Sequence, residues 1–163
     1  MAEISINSYF INYVTGQGWM EPATASTVLT VALGMFMLAR FIGAAVMSNM
    51  DAEKYLLVCA VGTVACIAVL LLDMGRNISM AALMMNYFFE AIMFPTIFAL
   101  ALRGLGGLTK SASSILMMTP VGGCGFLLMG YAADHAGNFV LPFFIPLVGY
   151  AIVMAYAWST VKK

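Results

Sequence analysis

Residues 86–102 read NYFFEAIMFPTIFALAL, an apolar run in which Glu90 is the single charged side chain between Arg76 and Arg103. The run is part of a stretch long enough to cross a bilayer as a helix, which takes about 20 residues. A carboxylate at mid-bilayer costs about 2.5–3.5 kcal/mol on insertion scales and therefore faces a bundle interior or a wet cavity. Helical spacing puts Asn86, four residues before Glu90, and Phe94, four after it, on the same face, with Tyr87 and Phe98 on its flank. An amide and a carboxylate bordered by aromatic rings suit a sugar, whose hydroxyls take hydrogen bonds and whose apolar ring face packs on an aromatic. The plainer reading is that Asn86 and Glu90 bond to a neighbouring helix as polar glue while the rings pack as core. Pro95 removes a backbone donor and frees the carbonyl of Ala91, so a kink is expected there.

The whole chain shares this character. It is 63% hydrophobic and 9% charged, against roughly 45–50% and about 25% for soluble domains, which makes it an integral membrane protein. Seven Lys and Arg balance seven Asp and Glu, and without a basic patch or tail a nucleic-acid partner is excluded. Cys59, Cys66 and Cys124 fall inside apolar runs and lack zinc-site spacing, so they read as buried small hydrophobes. No metal-ligand spacing occurs, and no serine or cysteine has a base partner, so an enzyme is not expected and no cofactor is implied. The start, MAEISINSYF, has no basic segment leading into a long apolar core and is not read as a signal peptide.

We read one all-α transmembrane domain over residues 1–163. Spanning helices are expected at 25–47, 55–72, 79–102, 113–133 and 139–159, with the end of a sixth helix at 2–14. Short breaks impose up-and-down packing. Lys54, Arg103, Lys110, Lys162 and Lys163 lie on one side and Arg76 alone on the other, so the first side, with the C-terminus, is expected to be cytoplasmic. Residues 2–14 are apolar but too short to cross, and look like the outer end of a helix, as if the chain were the back part of a longer protein. The alternative is an interfacial helix in a small complete protein, against which its lack of Lys and Arg counts.

On that first segment Glu3 and Asn7 share one face and Ser5, Ser8 and Asn12 the opposite one. The two faces cannot line one cavity, and Glu3 and Asn7 are favoured. Arg40 lies close enough to the cytoplasmic end to snorkel, and a latch to Asp51 or Glu53 is expected there, an undedicated surface contact being the alternative. Gly122, Gly123, Gly125 and Gly130 read as close helix packing or a bending helix, since a phosphate loop needs a preceding strand. His135, beside Asp134, has no partner for chemistry and reads as solvated. Asn77, Ile78 and Ser79 form a glycosylation acceptor in a loop too close to the membrane for modification.

Three stretches together resemble the fucose:proton symporter family of the major facilitator superfamily, which includes glucose and galactose transporters. They are SYFINY at 8–13, ARFIG at 39–43 and AIMFPTIFALALRGLGGLTKSASSILMMTPVGG at 91–123, with GYAAD at 130–134 continuing the spacing. The resemblance implies the C-terminal half of a six-plus-six helix transporter, residues 2–14 being the end of helix seven. It implies a sugar carried by rocking two halves about a central site, usually driven by protons, in a plasma or inner membrane. It also implies an N-terminal half, or a second copy, as the mate of this chain. Relatives commonly show NSIMFPTIF, so Glu90 stands where an asparagine is usual and Ala91 where a serine is. A proline common before the end of helix eleven is lacking as well. The carboxylates tied to proton coupling in the family lie in the N-terminal half and have no counterpart here. Asn86, Glu90, Phe94, Tyr87, Glu3 and Asn7 are then the expected substrate-path residues, with Glu90 accepting sugar hydroxyls or taking up the proton. The rival expectation is a membrane protein that does not transport, acting as an assembly or regulatory partner.

Overall fold

Among the described residues the apolar runs become helices. A computed structural model describes residues 2–47, 51–104, 106–117 and 125–161, and among these every regular element is helical: α1 (Ala2–Gly16), α2 (Pro22–Met47), α3 (Ala52–Leu71), α4 (Arg76–Leu102), α5 (Thr109–Met117), α6 (Gly125–Ala136) and α7 (Phe144–Val161). Single 3-10 turns, Gly106–Leu108 and Leu141–Phe143, precede α5 and α7. Among the described residues four helical units are long and apolar enough to span a membrane: α2, α3, α4 and Leu141–Val161. The stretch expected as a further span at 113–133 is described as α5 and α6. Residues 118–124 between them, which carry Gly122, Gly123 and Cys124, lie outside the described residues, as do Lys162 and Lys163. Five full spans are therefore not what the described residues show. At 15 residues, α1 reaches roughly 22 Å at 1.5 Å per residue, less than the hydrocarbon thickness of about 30 Å.

Large and small side chains are sorted as lipid requires. On α2 the buried residues are Ala25, Ala32, Ala39 and Gly43, while Val31, Met37, Leu38 and Phe41 point outward. Lipid is as apolar as leucine, so helix association depends on close packing rather than on hiding large side chains. At Gly43 a Cβ would overlap the side chain of Ile92, and at Gly62 it would lie 2.9 Å from the Phe89 ring. These two glycines let α2 and α3 close onto α4. The most extensive packing joins α3 to α4 and to α7, while α1 rests on α6, α2 and α7.

An aromatic cluster fixes α1 at its C-terminal end. The Tyr13 ring meets Phe143 edge-on at 5.0 Å and Trp19 at 5.3 Å, and the Tyr9 hydroxyl donates to the carbonyl of Phe139 at 3.3 Å. Anchored there, α1 brings its first turn, with Glu3, alongside α7. The buried hydroxyls of Thr63 and Thr96 are satisfied within their own helices, Thr63 donating to the carbonyl of Ala60 at 2.9 Å and Thr96 to that of Ile92 at 2.7 Å.

Candidate functional site

Midway along α4, Glu90 is buried, and two side chains hold its carboxylate. Asn86 Nδ2, one turn earlier on the same helix, donates to Oε2 at 3.2 Å, and the hydroxyl of Tyr150, reaching across from α7, donates to Oε1. Asn86 Oδ1 is buried and accepts nothing from the described protein groups. A buried acceptor without a donor costs about 1–3 kcal/mol, so this amide is kept at an energetic cost.

Beside this pair an open cleft of about 200 Å³ runs between α1, α4 and α7, lined by Glu3, Glu90, Met93, Phe94, Tyr150 and Val153 among others. Enclosed ligand pockets measure about 300–1,000 Å³, so the cleft is the size of one wall of a site. Phe94 is 38% exposed, leaning on Phe98 with ring centroids 6.2 Å apart. One carboxylate lies at the floor, a second at the rim and an aromatic ring along the side. Hydroxyl-rich ligands are met by that combination of acceptors and an apolar face.

Arg40 stands beside the cleft, joined to Glu3 of its rim and to the backbone of α4. Its Nε donates to the carbonyl of Ala91 at 3.0 Å, its Nη2 lies 4.0 Å from Glu3 Oε1, and its guanidinium sits 4.8 Å above the Phe36 ring. Ala91 is the residue four before Pro95, whose ring nitrogen has no hydrogen to offer its carbonyl. Arg40 supplies the donor that the proline withholds. The expected latch from Arg40 to Asp51 or Glu53 is therefore not formed. Asp51 instead pairs with Lys54 at 2.7 Å, and Glu53 pairs with Arg103 across the ends of α3 and α4. The Lys54 ammonium holds the exposed Asp51 carboxyl below the usual carboxylate range.

The remaining expected residues divide. Tyr87 is fully buried, its ring edge-on to Phe10 at 6.3 Å and its hydroxyl without a partner among the described groups. It packs α4 onto α1 and does not line the cleft. Asn7 lies one turn beyond Glu3 with Oδ1 buried and unbonded, and is not among the cleft residues either. The opposite face of α1 has its own use: Ser8 and Asn12 line a second cleft, of about 330 Å³, with Tyr131 and Asp134 of α6. His135 lies over the Tyr131 ring at 3.9 Å, its Nδ1 3.0 Å from the carbonyl of Tyr131. Asn77 is exposed in the first turn of α4. Among the described residues no group of His, Cys, Asp and Glu could hold a metal ion. Tyr150 was not expected; the one hint was a phenol in the middle of an apolar span, which needs a hydrogen-bond partner once buried.

No protein-family model matches the chain. It is 36% identical over 159 residues to the glucose/galactose transporter of Brucella abortus biovar 1 (strain 9-941), an alignment covering 95% of this chain and 38% of that protein. It is 31% identical over 159 residues to the L-fucose-proton symporter of Escherichia coli (strain K12), covering 96% of this chain and 36% of the relative. Among solved structures it is similar to FucP, a major facilitator superfamily transporter in the outward conformation, with a TM-score of 0.88, 30% identity and coverage of 96% of this chain and 38% of that one. The chain spans about two fifths of the length of the curated relatives it matches. It has the fold of part of a major facilitator transporter, and the similar proteins are transporters rather than enzymes.

Proposed function

We propose that this chain forms the C-terminal half of a sugar transporter, carrying a hexose or deoxyhexose such as glucose, galactose or fucose together with a proton. The observation that carries the reading is the cleft itself: Glu90, Glu3 and Phe94 gathered on one open wall of a fold that matches sugar transporters along nearly its whole length. Asn86, through its unbonded carbonyl oxygen, accepts a sugar hydroxyl when the floor opens, and Phe94 packs against the apolar face of the ring. Tyr87 and Asn7 support the wall from behind. Rocking against an N-terminal half, or against a second copy, closes the cleft from alternate sides. The chain sits in a plasma or inner membrane with its C-terminus cytoplasmic, following the placement of Lys and Arg. A wall without its opposite member also favours a second reading, in which the chain assembles with another transporter half without itself defining the substrate.

Uptake of labelled glucose, galactose and fucose into proteoliposomes tests the first reading, using the complete transporter that contains this chain and an inwardly directed proton gradient. We expect at least one sugar to accumulate and a protonophore to abolish the accumulation. Phe94→Ala is expected to raise the half-saturating sugar concentration about tenfold, since an aromatic contact worth about 1–1.5 kcal/mol is lost. Failure to take up any of the three would sink the proposal and leave the assembly reading.

A further inference from the structure

Two carboxylates, Glu3 and Glu90, line the cleft, and one guanidinium, that of Arg40, stands beside it. Glu3 on α1 pairs with Arg40 on α2 at 4.0 Å, while the donors to Glu90 on α4 among the described residues, Asn86 and Tyr150, are uncharged. The other titratable groups turned inward nearby, Tyr87 on α4 and Tyr55 and Cys59 on α3, are phenols and a thiol that carry no charge at neutral pH. The carboxylates of Asp51, Glu53 and Asp134 serve other partners or the second cleft. An uncompensated charge inside a membrane protein costs several kcal/mol, and a single arginine can neutralise one carboxylate.

We infer that the cleft binds one exchangeable proton shared between Glu3 and Glu90, with Arg40 neutralising whichever carboxylate is without it. The inference rests on the transport reading only for its use; the proton count follows from the residues. Such a pair titrates as a unit and not as two independent acids.

The geometry also shows how movement is tied to the proton. Arg40 is fastened to α4 through the carbonyl of Ala91, the residue after Glu90, whereas Glu3 rides on α1. As α1 shifts against α4, the guanidinium loses Glu3 and remains beside the helix of Glu90. The positive charge then serves Glu90, whose proton passes to Glu3 or to water, and one proton is bound or released with no other bond made or broken. A proton site in this half would be additional to any that a complementary half contributes.

Infrared difference spectroscopy on the complete transporter, recorded between acid and alkaline buffer, counts carboxylic acids through their carbonyl stretch and needs no sugar. We expect Glu90→Gln to remove one acid's worth of signal. Glu3→Gln should remove the same amount, because Arg40 then neutralises Glu90 outright. Arg40→Gln should add a second acid, and the double variant Glu3→Gln/Arg40→Gln should return the signal to that of the unaltered protein. That recovery also shows that the variants still fold. A signal unchanged in Glu3→Gln would place the proton on Glu90 alone and overturn the sharing; one unchanged in Arg40→Gln would overturn the charge balance. A protein that shows the shared acid but transports no sugar would leave this inference standing and remove only the transport reading.

Discussion

The hydroxyl of Tyr150 donates to Oε1 of Glu90, tying α7 to α4 across the floor of the cleft while Asn86 holds Oε2 from one turn away. Two helices far apart in sequence thus share one buried carboxylate. Tyr150→Phe deletes the bond and keeps the ring, and interhelical bonds in membranes contribute about 0.6–1.7 kcal/mol. We expect a loss of that size in unfolding measurements in detergent. In the Glu90→Gln background the same change should cost less, and strict additivity in the double-mutant cycle would show that the two side chains do not act together.

Arg40 and Pro95 form a second pair whose effects should depend on each other. With proline at 95 the carbonyl of Ala91 takes its donor from Arg40 at 3.0 Å; Pro95→Ala returns a backbone N–H to that carbonyl. Arg40→Gln should therefore destabilise the unaltered protein by about 1 kcal/mol more than it destabilises the Pro95→Ala variant. Equal losses in both backgrounds, measured by unfolding, would contradict the substitution of one donor for the other.

At Gly43 the approach of α2 to α4 leaves no room for a methyl group, because a Cβ would overlap Ile92. Overpacking of this kind costs about 1–3 kcal/mol. Gly43→Ala should lower the melting temperature, and Ile92→Ala introduced with it should recover part of the loss. Absence of any recovery would place the damage elsewhere than at this contact.

The ion pair of Glu53 with Arg103 joins the ends of α3 and α4 where Arg103 is 71% exposed. Exposed pairs contribute about 0–1 kcal/mol and are screened by salt. Glu53→Gln should change stability little at low ionic strength and not measurably at high. A large loss independent of salt would mean that the pair is a gate element and not a surface contact.

Much of this was legible beforehand. Helical spacing placed Asn86 and Glu90 on one face, and the structure joins them by a hydrogen bond. A carboxylate in an apolar span announces a partner, because leaving it unpaired is too costly. Which helix supplies that partner depends on packing, and Tyr150, sixty residues away, could not be assigned from periodicity alone. Arg40 was misplaced for a related reason. Snorkelling considers the distance to the membrane surface and overlooks a freed carbonyl within reach, although Pro95 marked Ala91 as freed. Tyr87, flanking the polar face, turned into the core because α1 brings Phe10 against it. Of the two faces of α1, Glu3 lines one cleft and Ser8 and Asn12 line another, while Asn7 and Ser5, grouped with them by helical spacing, line neither.

The most direct test of the sugar path is protection of its wall. In a background with Cys59, Cys66 and Cys124 replaced by serine, Val153→Cys puts a thiol in the cleft and Asn77→Cys puts one in the exposed first turn of α4, at a helix end outside the apolar span. Alkylation by a membrane-impermeant maleimide is timed in the complete transporter with and without saturating sugar. We expect glucose, galactose or fucose to slow the reaction at position 153 severalfold and to leave position 77 unchanged. Equal rates at position 153 with and without all three sugars would contradict a substrate path through this cleft.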